Sequence, residues 1–424
     1  FTMLKRIIFY TLLFTSLFSV SASAAIDEET AYALNTLLFL VSGFLVMLMA
    51  AGFCMLESGL VTSKSVSAIA AKNIGLYSIA GLMFWLIGYN VAYGIPEGGF
   101  IGSFTPWSDA SSIDTGYSDG SDWFFQMVFC ATTVSIVSGT LAERIKIWPF
   151  FLFAAILTGV IYPIQMGWQW GGGWLATAGF SDFAGSTLVH AAGGAAALAG
   201  AIILGPRLGR FDSGKLVPFA SSSIPLATLG TFILWFGWFG FNGGSQLALA
   251  GFENSTAVAT IYINTNLAAC AGVMTCATVT RLINGKTDVI MMLNGALGGL
   301  VAITAEPLTP SPFMAIIIGA IGGIVVILGT NLLAKFKIDD VVGAIPVHLF
   351  AGIWGTLAVP LTNSSTTFGA QLLGTSSIIV FVFIVSAIVW SIMNTTIGIR
   401  LSDEAQKEGT DIVETGVTAY AIRD

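Results

Sequence analysis

The sequence repeats one phrase, first as Asp182-Phe-Ala-Gly-Ser-Thr-Leu-Val-His190 and again as Asp340-Val-Val-Gly-Ala-Ile-Pro-Val-His348. The shared pattern is Asp-x2-Gly-x3-Val-His, and it contains the only two histidines of the chain. An aspartate ahead of an apolar segment is typical of a helix start, because its side chain accepts hydrogen bonds from the free amides there. At about 1.5 Å per residue, each histidine then lies about 12 Å along its helix. The repeat therefore predicts two related helices with an ionisable ring at equal depth.

Long apolar segments surround both phrases and fill most of the chain. Of its 424 residues, 55% are hydrophobic and 9% are charged, whereas about 25% charged residues is usual in soluble domains. A helix of roughly 20 apolar residues spans the hydrocarbon core of a bilayer. The sequence offers eleven such segments, which predicts an all-α polytopic membrane protein of eleven transmembrane helices. Their approximate cores are 33–56, 73–94, 122–142, 147–168, 183–204, 222–242, 255–280, 288–305, 312–333, 341–361 and 370–398.

The Lys and Arg residues indicate which ends of these segments face the cytoplasm. Two of the sixteen lie in the first 24 residues, and the remaining fourteen all follow odd-numbered segments. The positive-inside rule therefore predicts an outer N-terminus and an inner C-terminus. The first histidine phrase then enters from the outside and the second from the inside. Segments one to five and six to ten are predicted to be inverted halves, which favours a site near the midplane, and the eleventh segment is extra.

The N-terminus is typical of a secretory signal. Lys5 and Arg6 precede an apolar core and an Ala-Ser-Ala cleavage box, which are the three parts of such a signal. An uncleaved first helix is the alternative. The predicted organisation is a signal with a short N-terminal scar at 1–24, a transmembrane domain at 25–400 and a cytosolic tail at 401–424.

Composition also excludes several classes of function. The four cysteines lie in apolar stretches without CxxC or Cys/His spacing, so no metal site, redox couple or other cofactor is predicted. The net charge is −7 and no basic patch is interleaved with aromatic residues, which argues against nucleic acid as a partner. The remaining prediction is a membrane protein whose chemistry depends on its few buried polar side chains.

The two histidines and Asp182 each have a structural and a functional interpretation. His190 and His348 either pack as hydrogen-bonded residues or line a pathway, and we favour the pathway, because ionisable groups inside a membrane are costly and usually functional. Two neutral imidazoles can alternate donor and acceptor roles along a narrow path. Asp182, at the outer mouth, either caps its helix or also stabilises an incoming cation, whereas a cap is sufficient for Asp340. Glu57, near the inner end of the first segment, is predicted to be structural and bonded to free amides of a neighbouring helix.

Aromatic residues are predicted to gather at the outer ends of segments three, four and six. A belt of rings facing lipid is one interpretation. The other is a small cage in which ring faces attract a cation and a hydroxyl accepts a hydrogen bond from it. Such a cage fits ammonium, and onward movement as ammonia avoids carrying a charge through an apolar path. The residues concerned are Phe125, Phe129, Trp168, Trp170, Phe241 and Ser245.

Several phrases of the chain resemble those of the ammonium transporter (Amt/Mep/Rh) family, in its bacterial Amt form. The resemblance covers nearly all of the chain after the signal, and the order of the phrases makes it specific. The phrases are Ala51-Gly-Phe-Cys-Met-Leu-Glu57-Ser-Gly-Leu, Phe125-Gln-x2-Phe129, Leu141-Ala-Glu-Arg144-Ile, the first histidine phrase, Gly237-Trp-Phe-Gly-Phe241-Asn-x2-Ser245 and Val347-His348-x3-Gly352.

The resemblance implies a transporter rather than an enzyme, with ammonium or ammonia as the substrate, and the sequence leaves methylammonium open as an alternative. It implies a homotrimer in the bacterial inner membrane, with one pore per subunit and a PII-type regulatory protein at the cytosolic face. It also implies residue roles: an outer recruitment site of Phe129, Trp170 and Ser245; a gate of Phe125, Phe129 and Phe241; twin pore histidines His190 and His348; and an essential acid, Asp182.

The tail from Glu408 to Tyr420 is similar to the family's regulatory C-terminal region. Thr415 departs from the histidine that is common there, and Pro346 departs from the usual approach to the second histidine, so we expect a kink in helix ten. A sensor of the same fold that binds ammonium without conducting it is the main rival hypothesis. The short tail favours transport, because such sensors usually add a signalling domain. A bis-histidine haem or quinone protein is the second rival.

Overall fold

The computed structural model describes Met3, residues 26–212 and residues 215–420. Apart from Met3, the predicted signal at 1–24 lies outside the described residues. Eleven main helices form a bundle within the other described residues. They are α1 (Glu28–Leu60), α2 (Val66–Tyr93), α3 (Asp119–Thr140), α4 (Ile147–Gly167), α5 (Ser186–Leu204), α6 (Ile224–Gly244), α7 (Phe252–Asn284), α8 (Val289–Thr304), α9 (Pro312–Lys335), α10 (Ile345–Leu361) and α11 (Phe368–Thr396).

Each predicted segment overlaps one of these helices. In the described ranges, nine helices are long and apolar enough to cross a membrane, whereas α8 and α10 are shorter apolar helices. The second histidine phrase explains the length of α10: residues 340–343 form a turn that caps the helix instead of extending it. The described residues also form four short helical pieces: Ile113–Thr115 and Trp174–Thr177 in the connections, and Asp403–Glu408 and Asp411–Thr415 in the tail. A small hairpin of Phe211–Asp212 with Lys215–Leu216 lies between α5 and α6.

Glycine permits close helix packing in this bundle. A methyl group placed on Gly59 of α1 would lie 2.4 Å from the Ala227 nitrogen of α6. One placed on Gly272 of α7 would lie 2.0 Å from the Gly295 oxygen of α8. Since no side chain fits such gaps, the backbones of these helix pairs meet directly.

Loop contacts define one end of the bundle. Asn35, near the start of α1, donates a hydrogen bond to the Gly116 oxygen at 3.1 Å and accepts one from the Leu249 amide at 2.8 Å. We name this side the acidic end, because its loops contain acidic residues and neither Lys nor Arg. The loops at this end are 94–118, 168–185, 245–251, 305–311 and 362–367.

The opposite side, which we name the basic end, carries the tail and a cluster of charges. Lys64 donates to the Gln406 oxygen of the tail at 2.8 Å. Arg207 bridges Glu143 at 2.5 Å and Asp339 at 2.8 Å. Burial opposes ionisation of Asp339, but its hydrogen bonds from Arg207 and nearby positive charge hold its pKa well below the usual range. These ion pairs tie the loop before α10 to the loops after α3 and α5.

Candidate functional site: paired histidines between two cavities

The two histidine rings lie against each other in the interior of the bundle. Nδ1 of His348 is 3.2 Å from Nδ1 of His190, and the ring centroids are 5.2 Å apart. Both side chains are buried. A hydrogen bond between two ring nitrogens needs one donor and one acceptor, so in a neutral pair one Nδ1 carries the shared hydrogen. The two copies of the repeated phrase therefore come into direct contact.

Both histidines belong to helix starts of the same construction. α5 and α10 each open with a π-helical turn that contains the histidine, Ser186–Ala191 and Ile345–Phe350. A glycine in the left-handed region comes before each turn, Gly185 with φ +104° and Gly343 with φ +81°. Glycine adopts this conformation without the cost that a side chain imposes. The Gly of the shared pattern thus has a backbone reason.

The aspartates of the repeat accept hydrogen bonds from these helix starts. Asp340 accepts from the amides of Gly343 and Ile345 at 3.1 and 2.7 Å and from the Thr140 hydroxyl at 3.1 Å. Asp182 is fully buried, and both of its oxygens are used by backbone amides. These amides belong to Gly185, Ser186, Thr187 and Leu188, at 2.7 to 3.0 Å. Both carboxylates therefore cap helix starts.

Proline 346 lies in the first turn of α10. A proline in a first turn removes no helical hydrogen bond, because the amide there has no partner within the helix. The departure at this position is thus accommodated at the helix start rather than in the helix interior.

Aromatic rings stack on His190. Trp238 and Phe241 of α6 lie with centroids 4.9 and 5.2 Å from the imidazole, at interplanar angles of 19° and 28°. Phe241 stacks in turn on Phe129 of α3, with centroids 3.9 Å apart. Sequence reasoning gave no role to Trp238, although it lies three residues before Phe241 and so shares its helix face.

A cavity of about 310 Å³ opens beyond Phe129, next to the loops of the acidic end. Trp170 meets Phe129 there at 5.9 Å and 78°, and its indole donates to the Asp182 carbonyl at 2.9 Å. Ser245 donates its hydroxyl hydrogen to the Phe241 carbonyl at 2.9 Å, which leaves the oxygen lone pairs as acceptors. The cavity is lined by Tyr93, Tyr117, Phe125, Gln126, Phe129, Trp170, Phe183, Ser245 and Leu247.

The lining includes four of the six side chains that were predicted to converge. Phe241 lies behind Phe129, against His190. Trp168 is the exception: its indole donates to the Phe100 carbonyl at 2.9 Å and its ring packs on Phe381. Tyr93, Tyr117 and Phe183 were missed, because nothing in their local sequence shows that they face the same space.

A second, much narrower cavity lies on the other side of the histidine pair. It leaves about 10 Å³ for the centre of a water-sized molecule, which is room for one such molecule. Its walls come from α1, α3, α8 and the start of α10. They are Phe53, Leu56, Glu57, Ser135, Ile136, Gly139, Asn294, Leu297, Val342, Gly343, Ala344, Val347 and His348.

The geometry of the pair argues against a haem ligated by both histidines. Two metal–nitrogen bonds of about 2 Å each need about 4 Å between the ligating nitrogens, and the facing Nδ1 atoms are 3.2 Å apart. Within the described ranges, no group of three His, Cys, Asp or Glu side chains is arranged to hold a metal ion. The arrangement instead suits a small neutral molecule that exchanges hydrogen bonds with the rings.

Comparison with known proteins identifies the family. Residues 37–420 match the family model described as the Ammonium Transporter Family. Ammonium transporter Amt2 of Archaeoglobus fulgidus is 40% identical over 419 residues, covering 90% of this chain and 87% of that protein. The solved structure of a sensor Amt protein is similar with a TM-score of 0.87 and 33% identity, over 92% of this chain and all of that one. Candida albicans Mep2 is similar with a TM-score of 0.82 and 26% identity, over 94% of this chain and 95% of that one. Together these matches show that the chain belongs to the ammonium transporter family.

Proposed function

We propose that this chain conducts ammonium as ammonia: it recruits ammonium in the cavity at the acidic end, removes a proton there and passes ammonia along the histidine pair. The observation that carries the proposal is the continuous stack of Phe129, Phe241 and His190, which stands between the cavity and the interior. A charged, desolvated passenger is expensive in such surroundings. A neutral molecule such as ammonia does not incur this cost.

Recruitment rests on the lining of the cavity. The ring faces of Phe129 and Trp170 attract a cation, and Ser245 offers acceptor lone pairs towards a donor, because its hydrogen is already bonded to a carbonyl. Ammonium donates four hydrogen bonds, whereas potassium donates none. The site therefore favours ammonium over a metal cation of the same charge.

The gate consists of Phe125, Phe129 and Phe241. Phe125 meets Phe129 edge to face at 4.7 Å, and Phe129 stacks on Phe241 at 3.9 Å. Contact at these distances leaves no room for a molecule between the rings. Passage then requires that a ring rotates, which admits one small molecule at a time.

The histidine pair offers ammonia a polar atom beyond the gate. Nε2 of His190 is buried and has no hydrogen-bond partner. An unpartnered buried polar atom costs free energy, and ammonia passing His190 satisfies it as donor or acceptor. His348, bonded to His190, takes part in the next exchange.

We also propose an arrangement of the helices in the membrane. All eleven helices cross the bilayer in an inverted five-plus-five repeat plus one, with the acidic end outside and the basic end inside. Large apolar side chains on the outer helix faces agree with contact to lipid or to neighbouring subunits of a homotrimer in a bacterial inner membrane. Examples are Phe44, Leu82, Phe232 and Leu328.

The tail at the basic end is the proposed regulatory segment, where a PII-type protein docks. It lies on the loops of the bundle, with the Glu414 carboxylate accepting from the Ile147 amide at 2.7 Å. Thr415, at the position that departs from the family pattern, donates to the Asp411 carbonyl at 2.6 Å. This residue therefore stabilises the turn of the tail itself.

A non-conducting ammonium sensor is the second candidate, because a sensor Amt protein has a closely similar structure. Purified protein in proteoliposomes separates the two candidates. We expect a rise of internal pH as ammonia arrives, because each molecule leaves one proton outside and takes up another inside. Saturable ammonium binding without any flux would instead establish a sensor, and His190→Ala with Asp182→Ala tests the assigned site in the same assay.

A further inference from the structure

Glu57 is a buried carboxylate that the proposed pathway does not yet use. It lies one turn before the end of α1 at the basic end and is 1% exposed. Its side chain lines the narrow cavity that also borders His348. One of its oxygens, Oε1, is buried and has no hydrogen-bond partner. A carboxylate oxygen without a hydrogen-bond partner inside a protein costs free energy, and such an atom often has a functional role.

The other oxygen belongs to a polar cluster. Oε2 accepts from the Ser138 hydroxyl at 2.8 Å and from the Asn73 side-chain amide at 3.2 Å. Lys72 donates to the Ser138 carbonyl at 2.6 Å and is itself buried. A positive charge thus stands near Glu57, joined to it through one serine.

This arrangement differs from an ordinary buried ion pair. Such pairs are stable when the carboxylate and the cation are in direct contact and all their hydrogen bonds are satisfied. Among the described residues, Glu57 has no cation within salt-bridge distance, and Oε1 is free. The sequence predicted a structural role with bonds to free backbone amides, whereas the carboxylate accepts from a hydroxyl and a side-chain amide.

The chain also keeps space beside this carboxyl group. A methyl group on Gly139 would lie 3.2 Å from Cγ of Glu57 and 2.5 Å from a methyl carbon of Val342. Glycine at this position of α3 therefore leaves open the space between α1 and the turn before α10. That space accommodates one water-sized molecule, and ammonia is of that size.

We propose that Glu57 is the acid–base group at the inner end of the pore, and that it gives ammonia a proton in place of the one that ammonium lost at the outer cavity. This inference rests on the proposed function. In the step, the O–H bond of the neutral carboxyl group breaks and a fourth N–H bond forms on ammonia. The resulting carboxylate is stabilised by Ser138, Asn73 and the charge of Lys72. Ammonium then leaves, and the carboxylate takes a proton from hydronium in the solution at the basic end.

The charges around Glu57 set how this step responds to pH. Cys54 is on its own helix, Lys72 faces it from α2 and His348 from α10, while Glu143 and Arg144 act on Lys72 from the end of α3. Because the Glu57 carboxylate regains its proton from the solution at the basic end, the rate of transport depends on the pH of that side. A pore that released ammonia directly to water would not need this group.

The test uses the full chain in proteoliposomes, with the pH varied only on the side of the basic end. Glu57→Gln keeps the size of the side chain and an acceptor for Ser138, so we expect a folded protein with at least tenfold lower flux and no dependence on that pH. Glu57→Asp keeps the acid and restores part of the flux with its pH dependence. The matched control is Glu306→Gln, a buried carboxylate bonded to Asn363 away from both cavities, which keeps wild-type flux.

Flux of Glu57→Gln within twofold of wild type, with unchanged pH dependence, overturns the inference while the proposed function stands. A wild-type protein without flux refutes the proposed function itself. If Glu57→Gln does not fold, Glu57→Asp decides: flux and pH dependence identical to wild type, despite a carboxyl group withdrawn by one methylene, overturn the inference.

Discussion

The two sides of the histidine pair are built from the same repeated phrase but differ in shape. On the acidic-end side lies an aromatic cavity of about 310 Å³, and on the basic-end side a passage with room for one water-sized molecule. Asp182 accepts hydrogen bonds from four backbone amides, whereas Asp340 accepts them from two amides and a hydroxyl. The repeat therefore provides the shared element, a histidine at the centre, and the flanking residues give the two sides different shapes, which the proposed function uses as a capture site and an exit.

Replacing the two aspartates in parallel is the strongest test of this difference. Asp182→Asn leaves buried amides of α5 without acceptors, at about 1–3 kcal/mol for each, and also removes the charge. We expect flux to disappear and the melting temperature to fall clearly. Asp340→Asn disturbs fewer bonds, so we expect partial flux and a smaller loss of stability.

The rate of internal pH rise in proteoliposomes gives the flux of each variant, and thermal unfolding in detergent gives its stability. Equal losses in the two variants would mean that the aspartates play equivalent parts, and the proposed asymmetry of the pore would be wrong.

Leucine in place of each histidine is expected to have the next largest effect. Loss of one hydrogen bond in a dry passage costs about 1–3 kcal/mol, which corresponds to a flux reduced about 5- to 150-fold. His190→Leu removes the free Nε2 beyond the gate and is expected to be at the upper end of this range. The folded state of each variant is checked by size-exclusion chromatography, and undiminished flux through His190→Leu rules out the histidine relay.

The outer cavity is expected to control affinity rather than maximal rate. Trp170→Leu removes a cation–π partner worth about 0.5–2 kcal/mol, so the half-saturating ammonium concentration should rise about 2- to 30-fold. Trp170→Phe keeps a ring face and is the matched control, with a smaller rise. If both variants lower the maximal flux and leave the half-saturating ammonium concentration unchanged, the cavity is not the recruitment site.

Much of this architecture follows from local patterns. Helix positions were predictable because a span needs a long apolar segment, and the pairing of His190 with His348 was predictable because the phrase repeats with opposite orientation. The caps formed by Asp182 and Asp340 follow from a residue preference at helix starts. The family resemblance supplied the roles of the aromatic residues, which spacing alone left open between a cage and a lipid-facing belt.

The remainder depends on tertiary contacts that no local pattern contains. Tyr93, Tyr117 and Phe183 reach the outer cavity from three different loops or helix ends. Trp168 and Trp170 are neighbours in sequence but point to different surroundings, because the chain turns sharply at residues 168–173. The position of Glu57 beside His348 depends on how α1 packs against α3 and α10, and the sequence showed only that a carboxylate was buried.

The smallest effect on transport is expected at the charge cluster of the basic end, which lies away from both cavities. The pKa of Asp339 is lowered in the folded protein, and in the unfolded chain it is about 3.9. A lowered folded pKa adds stability above the unfolded value, and this stability is lost as pH falls through the folded value. The melting temperature of the wild type should therefore decrease below about pH 4.

The variant Asp339→Asn should have a lower melting temperature at pH 7, and this temperature should depend less on acid, while its flux at neutral pH stays near that of the wild type. Flux lost along with stability would mean that the ion pairs of Arg207 hold the exit passage open, and the exit would then extend beyond the cavity beside Glu57.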